Sequence, residues 1–224
     1  MKVGVVDTGL QREYRSWLQA GQLFVLGADG ILNKPLEEDH LGHGSLVTRL
    51  IHEQAPGTQL LMAQVFGRRG ATTAAQLAAA LYWLLDQGVK VVNCSLGLHA
   101  DRPVLREACR AAVNRGVVLC ASSPALGQAV YPASYPGVVA VTGDARCQSG
   151  EWSWLQGDRA EFGAAVGAGP EGGASMACAR FSGLLAAYWA THPALDASQV
   201  LGYFRQQASR TGPQRREPLC ASNE

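Results

Sequence analysis

Residues 2–9 read KVGVVDTG, a short apolar run that ends in a carboxylate, a hydroxyl and a glycine. Apolar residues without helical spacing predict a strand buried on both faces at residues 2–6. In an open α/β sheet, ligands gather at the carboxyl ends of the strands, so Asp7 stands where chemistry is expected. Further apolar runs predict buried strands at residues 23–27, 59–66, 89–94, 117–121 and 137–142.

Longer stretches between these runs predict helices. The alternation of strand and helix predicts an α/β fold: a three-layer open sheet, mostly parallel, with helices on both faces. Thr72 and Asp196 are the expected N-caps, and Gly88 and Gly116 are the expected helix stops. The predicted helices cover residues 44–54, 73–87, 102–115, 175–191 and 197–209.

The size and charge of the chain restrict its class. With 224 residues, 47% of them apolar, one domain is expected over residues 1–208. Residues 209–224 are polar and aperiodic, which predicts a disordered tail. A net charge of +1 offers no positive excess for nucleic acid. No run approaches the roughly 18 apolar residues of a membrane span, and a strand that begins at Lys2 leaves no room for a signal peptide, so a cytoplasmic protein is expected.

The motif DHLGHG at residues 39–44 places His43 between two glycines, directly before an apolar helical stretch. Glycine on both sides allows the backbone to approach closely, and the imidazole would project from the start of the helix. His43 is therefore the candidate general base. The histidines that lack this setting are His40, His52, His99 and His192.

The motif GGASMA at residues 172–177 places Ser175 at the start of a predicted helix. The backbone N–H of Ser175 and the helix dipole would face negative charge that develops on an attacked carbonyl. A serine nucleophile needs a base to take its proton and an acid to orient that base. Asp7, His43 and Ser175 supply these groups, whereas separately Asp7 suits a turn and Ser175 an N-cap.

The order of these three motifs resembles that of the subtilisin-like serine peptidases, the S8-type subtilases, whose triad runs Asp, His, Ser along the chain. The resemblance extends over residues 1 to about 208 and includes VVNCSLG at 91–97 and YPASYPGVVAV at 131–141. It implies a compact serine endopeptidase in which Asp7 orients His43 and Ser175 forms an acyl-enzyme.

The resemblance also assigns a substrate-binding edge. In the family, the segment that matches SLG at residues 95–97 pairs with the substrate backbone as an added strand, which implies that Ser95, Leu96 and Gly97 bind substrate. Asn93, which precedes this segment, is then structural. An ordinary βα loop is the alternative interpretation of the same residues.

Several family features are changed or absent. Most members carry an asparagine that donates to the oxyanion, but CASSPALG at residues 120–127 contains none, so Ser122 and Ser123 are the candidate donors. In subtilisin, loss of that asparagine lowers kcat about 10²–10³-fold, which implies a slow enzyme. Cys178, Ala179 and Arg180 follow the SMA motif where the family usually has Pro and His.

No metal and no cofactor are expected. Residues 52–56 run on without the loop that binds calcium in many subtilases, and no cluster of Asp and Asn oxygens replaces it. The six cysteines form no C-x-x-C pair, so they are expected to be buried thiols in a reducing compartment. No inhibitory prodomain precedes the strand at residue 2, which implies unaided folding or a partner protein. The cysteines are Cys94, Cys109, Cys120, Cys147, Cys178 and Cys220.

Two functions stay open. The first is an endopeptidase that processes one peptide or protein substrate, for example in the maturation of a ribosomally made peptide by leader removal or acyl transfer. The second is a catalytically weak or inactive homologue that binds an extended peptide or scaffolds a complex. The intact triad favours the first, and the missing asparagine favours the second. A nucleotide-binding domain is disfavoured because no G-x-G-x-x-G or G-x-x-x-x-G-K-[ST] motif follows a strand.

Overall fold

One continuous sheet organises the residues described by the structure, a computed structural model covering 1–68, 70–167, 169 and 172–213. Its strand order is β10-β8-β9-β7-β6-β5-β1-β4-β2-β3, and all neighbours run parallel except the antiparallel pairs β2–β3 and β8–β9. The strands are β1 (Lys2–Asp7), β2 (Leu18–Gly27), β3 (Gly30–Pro35), β4 (Gln59–Gln64), β5 (Val91–Cys94), β6 (Val118–Ser122), β7 (Val139–Gly143), β8 (Trp152–Trp154), β9 (Phe162–Ala164) and β10 (Arg210–Thr211).

Helices cover both faces of this sheet, so the predicted three-layer α/β architecture is confirmed. One hydrophobic cluster lies between the sheet and α2 and α3, and the other lies between the sheet and α1, α4 and α5. A short 3₁₀ helix, Arg12–Trp17, connects β1 to β2. The α-helices are α1 (His43–Gln54), α2 (Ala74–Asp86), α3 (Pro103–Asn114), α4 (Ala174–Thr191) and α5 (Ala197–Gln206).

The helix ends follow the expected chemistry with one exception. Asp196 forms a capping box with Gln199, and the glycines that follow α2 and α3 both have φ of +72°. The expected cap Thr72 is wrong: the Thr73 side chain accepts from the Gln76 N–H at 3.3 Å instead. The hydroxyl of Thr72 is buried and has no hydrogen-bond partner among the described residues.

The strands at both edges of the sheet were not predicted from the sequence. β3 is largely exposed, and β8, β9 and β10 have only two or three residues, too few for a periodic pattern. The disordered tail predicted for residues 209–224 is wrong at its start, because residues 209–212 are bonded to the sheet. There the Ser209 N–H donates to Trp152 O and the Gly212 N–H to Trp154 O, both at 2.9 Å. Residues 214–224 lie outside the described residues, and the predicted helix at 197–209 ends at Gln206.

β1 lies inside the sheet between β4 and β5, where the order of the strands reverses. Asp7 is in register with Gln64 of β4, and Val6 is in register with Cys94 of β5. The carboxyl end of β1 therefore meets the segment that begins at Ser95. None of the described helices is both long and apolar enough to span a membrane.

Candidate active site

Asp7 and His43 form a close pair at the carboxyl end of β1. The Asp7 side chain is 1% exposed, and its Oδ1 lies 2.7 Å from His43 Nδ1. The N–H of Thr8 also donates to Oδ1 at 2.7 Å. Because a carboxylate only accepts, Nδ1 of His43 carries the proton of this bond. In the neutral imidazole, Nε2 is then left as a free acceptor.

Two glycines place His43 at the first position of α1. Gly42 has a left-handed backbone with φ of +76°, which turns the chain into the helix. Gly44 lies so close to the loop after β1 that a Cβ on it would be 2.5 Å from Gly9 O and 3.1 Å from Asp7 Cβ. This close approach, which only glycine permits, brings the helix start up to Asp7.

The pair is set up for proton transfer. Burial works to lower the pKa of His43, but the hydrogen bond and charge of Asp7, with a further contribution from the charge of Asp39, raise it above the ordinary value. The His43 side chain keeps 34% exposure, so its other face is open to a substrate. An imidazole of this kind takes and returns protons near neutral pH.

Ser175 lies in the first turn of α4, next to Ser95. Its Oγ donates to the carbonyl of Ser95 at 3.1 Å, and the Ser95 hydroxyl donates to the carbonyl of Ser175 at 2.9 Å. A hydroxyl has one proton, so Ser175 does not donate to His43 in this state. Catalytic hydrogen bonds often tighten only when substrate binds.

Asn93 ties β5 to α4 beneath these serines. Its amide donates to Ser182 Oγ at 3.0 Å and to Cys178 Sγ at 3.4 Å. Its Oδ1 lies 2.9 Å from Ser95 Oγ and is the alternative acceptor for the single proton that this hydroxyl otherwise donates to Ser175 O. These contacts are those of a structural residue, as expected. Burial raises the pKa of the Cys178 thiol well above its ordinary value, which disfavours the reactive thiolate.

The SLG segment is followed by a residue that is bonded to a neighbouring segment. Leu98 exchanges two backbone hydrogen bonds with Tyr131, at 2.7 and 2.8 Å. Gly97 lies against Val130, whose side chain would be 2.9 Å from a Cβ at residue 97. Leu96 is half-buried and Gly97 is exposed, so the backbone beyond the buried Ser95 is open along one side.

Ser122 and Ser123 lie where β6 ends, one strand away from Ser95. Ala121 is in register with Cys94, which places Ser122 beside Ser95. Both serines are buried, and the N–H of Ser123 donates to Val141 O at 2.8 Å. Neither hydroxyl bonds to Ser175 among the described residues, and their role as oxyanion donors stays a prediction.

Arg180 is buried in α4 and bonds to backbone carbonyls. It is 8% exposed, and its Nη1 donates to the carbonyls of Ala165 and Val166 at 3.2 and 3.3 Å. These carbonyls follow β9 and lie upstream of the GGASMA motif. Arg180 therefore joins the helix that bears Ser175 to the segment that leads into it.

Asp39 of the DHLGHG motif contributes to this site, and its role was not predicted from the sequence. Asp39 is 4% exposed and accepts from residues on both sides of His43. Burial works to raise the pKa of Asp39, but bonds from Ser45, Thr8 and Gly42 lower it below the ordinary value. An acidic residue just before a helix start was the available signal.

In the described part of the chain, no cluster of His, Cys, Asp and Glu is arranged to hold a metal ion.

The fold and this site define an α/β protein with an Asp–His pair whose carboxylate is buried and a serine at the start of a nearby helix. A family model described as the subtilase family matches residues 1–218, so the chain belongs to the subtilase family. Subtilisin Savinase from Lederbergia lenta is 31% identical over 152 residues, which cover 63% of this chain and 54% of that protein. The chain thus spans about half the length of this relative.

Solved structures share the fold. A structure titled S41 Psychrophilic Protease matches with a TM-score of 0.72 at 23% identity, over 93% of this chain and 82% of that one. A structure titled as a lanthipeptide protease matches with a TM-score of 0.67 at 18% identity, over 93% of this chain and 80% of that one. These likenesses agree with the mostly parallel sheet between two helical layers.

Proposed function

We propose that this protein is a serine endopeptidase with Asp7, His43 and Ser175 as its catalytic triad. The observation that carries the proposal is the 2.7 Å bond between Asp7 and His43, made by a carboxylate that is 1% exposed. This bond fixes the imidazole with its proton on Nδ1 and Nε2 free. Membership of the subtilase family supports the same reaction.

The three residues would catalyse peptide hydrolysis in two steps, through an acyl-enzyme. Nε2 of His43 takes the proton of Ser175 as Oγ attacks the scissile carbonyl, and Asp7 stabilises the imidazolium that forms. His43 then gives the proton to the leaving amine, which departs and leaves an acyl-enzyme on Ser175. A water molecule, deprotonated by His43, attacks the acyl carbon, and the proton returns to Ser175 as the acid product leaves.

Substrate binding would prepare the nucleophile. The hydroxyl of Ser175 donates to Ser95 O, and a peptide that pairs with residues 95–97 brings its own N–H to this edge. Competition for the Ser95 carbonyl would release the hydroxyl toward His43. The N–H of Ser175 and a hydroxyl of Ser122 or Ser123 would then hold the oxyanion. A hydroxyl in place of the usual amide makes slow turnover the expectation.

We further propose that the substrate is one particular extended peptide or protein, with maturation of a ribosomally made peptide as the leading case. The binding edge is short, since Leu98 is already paired with Tyr131. A protein that shares the fold is titled a lanthipeptide protease, so the fold accommodates such a task. Hydrolysis and acyl transfer to another amine share the acyl-enzyme and differ only in the group that attacks it.

The test is covalent labelling of the folded chain with a fluorophosphonate probe, followed by intact mass. The wild-type protein and a Ser198→Ala control, changed at an exposed serine of α5, should each gain one adduct. Ser175→Ala and His43→Ala should gain none. A folded wild-type chain that gains no adduct would remove the peptidase proposal.

The second candidate is a weak or inactive homologue that binds an extended peptide. It is favoured by one observation, the donation of the Ser175 hydroxyl to Ser95 O instead of His43. It predicts no adduct with the probe, together with saturable binding of an extended peptide that a proline substitution along its backbone weakens. A single adduct on the wild-type chain would decide against it.

A further inference from the structure

Asp39 is a second buried carboxylate beside the proposed triad, and both of its oxygens are saturated with donors. Oδ1 accepts from Thr8 Oγ1 at 2.9 Å and from the N–H groups of Leu41 and Gly42 at 3.0 and 2.9 Å. Oδ2 accepts from the N–H and the hydroxyl of Ser45 at 2.9 and 2.7 Å. These donors come from the loop before α1, from its first turn and from the segment after β1.

The donors surround His43 in the chain. Gly42 precedes it and Ser45 follows it by two residues, so one carboxylate fixes the backbone on both sides of the imidazole. Gly42 itself supplies no side-chain cap to α1. Asp39 takes over the satisfaction of the N–H groups at this helix start, where a negative charge is also favoured by the helix dipole.

Thr8 connects the hydrogen bonds around Asp39 to Asp7. Its Oγ1 donates to Asp39 and accepts from the N–H of Gly44 at 2.7 Å. The N–H of Thr8 donates to Asp7 Oδ1, whereas Asp7 Oδ2 is buried without a hydrogen-bond partner among the described residues. Asp7 is thus oriented through Oδ1 only. Thr8, which donates its N–H to this oxygen, is held in turn by its hydroxyl bond to Asp39.

We propose that Asp39 is a positioning residue that holds the loop before α1 and the residue after Asp7 in one hydrogen-bonded frame, and so sets the geometry of the Asp7–His43 bond. The proposal rests on the proposed function. Asp39 touches no reacting atom in it. It acts through Thr8 on Asp7 and through Gly42 and Ser45 on His43.

The electrostatics agree with this geometry. Burial works to raise the pKa of Asp39, but the bonds from Ser45, Thr8 and Gly42 lower it below the ordinary value, so Asp39 is ionised near neutral pH. The carboxylates whose charges raise the pKa of His43 are Asp7 and Asp39. A role confined to capping α1 would change the stability of the fold and, through the lost charge, the pKa of His43, but it would leave the labelling rate unaltered at pH values where His43 is neutral.

The test replaces Asp39 with its neutral isostere in the 224-residue chain. Asp39→Asn keeps the shape but turns one acceptor oxygen into an NH₂ group that cannot accept. Asp86→Asn is the matched control, because Asp86 is an exposed carboxylate at the end of α2. We would measure thermal unfolding, the pKa of His43 from its ring Cε1–H resonance in NMR, assigned with His43→Ala, and the fluorophosphonate labelling rate against pH.

The expected result is a folded Asp39→Asn protein with a lower His43 pKa and labelling slowed by about 10- to 100-fold, the scale of a misplacement of about 1 Å. The Asp86→Asn protein should stay within twofold of wild type. A folded Asp39→Asn protein whose labelling rate matches the wild type at pH values where His43 is neutral would overturn the proposal. If the wild-type protein does not label, the peptidase proposal fails, and the His43 resonance in variants of Thr8, which keep the charge of Asp39, decides the role of Asp39.

A second pair of variants decides the question if Asp39→Asn does not fold. Thr8→Val removes the hydroxyl that joins Asp39 to Gly44 without changing the volume of the side chain, and Thr8→Ser retains that hydroxyl. Slower labelling and a displaced His43 resonance in Thr8→Val, restored in Thr8→Ser, support the frame. Equal behaviour of both variants and the wild type contradicts it.

Discussion

Gly44→Ala tests how closely α1 must approach β1. The added Cβ would lie 2.5 Å from Gly9 O and 2.9 Å from Gly9 N, both backbone atoms that cannot rotate away. Ordinary contact begins at 3.4 Å, so the start of α1 must retreat by about 0.9 Å or the loop after β1 must deform. Because His43 and residue 44 are adjacent, the same shift lengthens the bond from His43 to Asp7.

The magnitude follows from two opposing effects. Overpacking a tight site costs about 1–3 kcal/mol of unfolding free energy, whereas alanine gains up to about 1 kcal/mol over glycine within a helix. The net expectation, with the full gain counted, is a loss of about 0–2 kcal/mol, or a fall in Tm of up to several degrees for a chain of this size. A displacement near 1 Å between reacting groups lowers the rate by about 10²-fold.

Two other helical glycines provide matched controls for this variant. Gly202→Ala in α5 meets nothing within 4 Å and should stabilise the protein by up to about 1 kcal/mol. Gly183→Ala in α4 meets Gln54 Cβ at 2.7 Å and should destabilise the protein, with labelling changed only a few-fold. Urea unfolding and the fluorophosphonate labelling rate measure both effects. The reasoning is refuted if Gly44→Ala unfolds and labels like the wild type.

Three further predictions follow from the contacts of the site. Since neutral His43 is the base and its pKa is raised above 6.5, labelling should increase with pH through a midpoint above that value. Asp7→Asn should lower this midpoint and slow labelling on the order of 10⁴-fold. An unmoved midpoint would contradict the role of Asp7. Arg180→Met should lower the free energy of unfolding in urea by about 1–3 kcal/mol, since it loses the bonds to the carbonyls of residues 165 and 166. An unchanged midpoint of unfolding would show that these bonds contribute nothing to stability. Cys178 should resist iodoacetamide at pH 8 in the folded protein and react after denaturation, as read from peptide masses, because burial raises its pKa well above 9.0; modification of the native chain would contradict its burial.

The inner strands could be predicted because strands covered on both faces are almost continuously apolar. β1, β4, β5, β6 and β7 all lie within or near the apolar runs. The edge strands could not be predicted in this way. β3 is mostly exposed, and β10 exists because the chain near Arg210 reaches β8, a contact between segments more than 50 residues apart.

The motifs around Asp7 and His43 were recognisable because their chemistry is local. Glycines mark the turn and the close approach at the helix start, and each motif ends a strand or begins a helix. The contribution of Asp39 was hidden, because its bond to Thr8 crosses 31 residues of chain. The hydroxyl direction of Ser175 was hidden for the same reason, since its acceptor Ser95 is 80 residues away.

The sequence by itself determined the α/β class, the approximate positions of the inner strands and of the helices, and the order Asp7, His43, Ser175. These features depend on periodicity and turn chemistry, which act over a few residues. Only the tertiary structure decided which groups meet: the pairing of Asp7 with His43, the frame around Asp39 and the bond of Ser175 to Ser95. The physical reason is that hydrogen bonds depend on tenths of an ångström, and such distances are set by the register of strands that lie far apart in the chain.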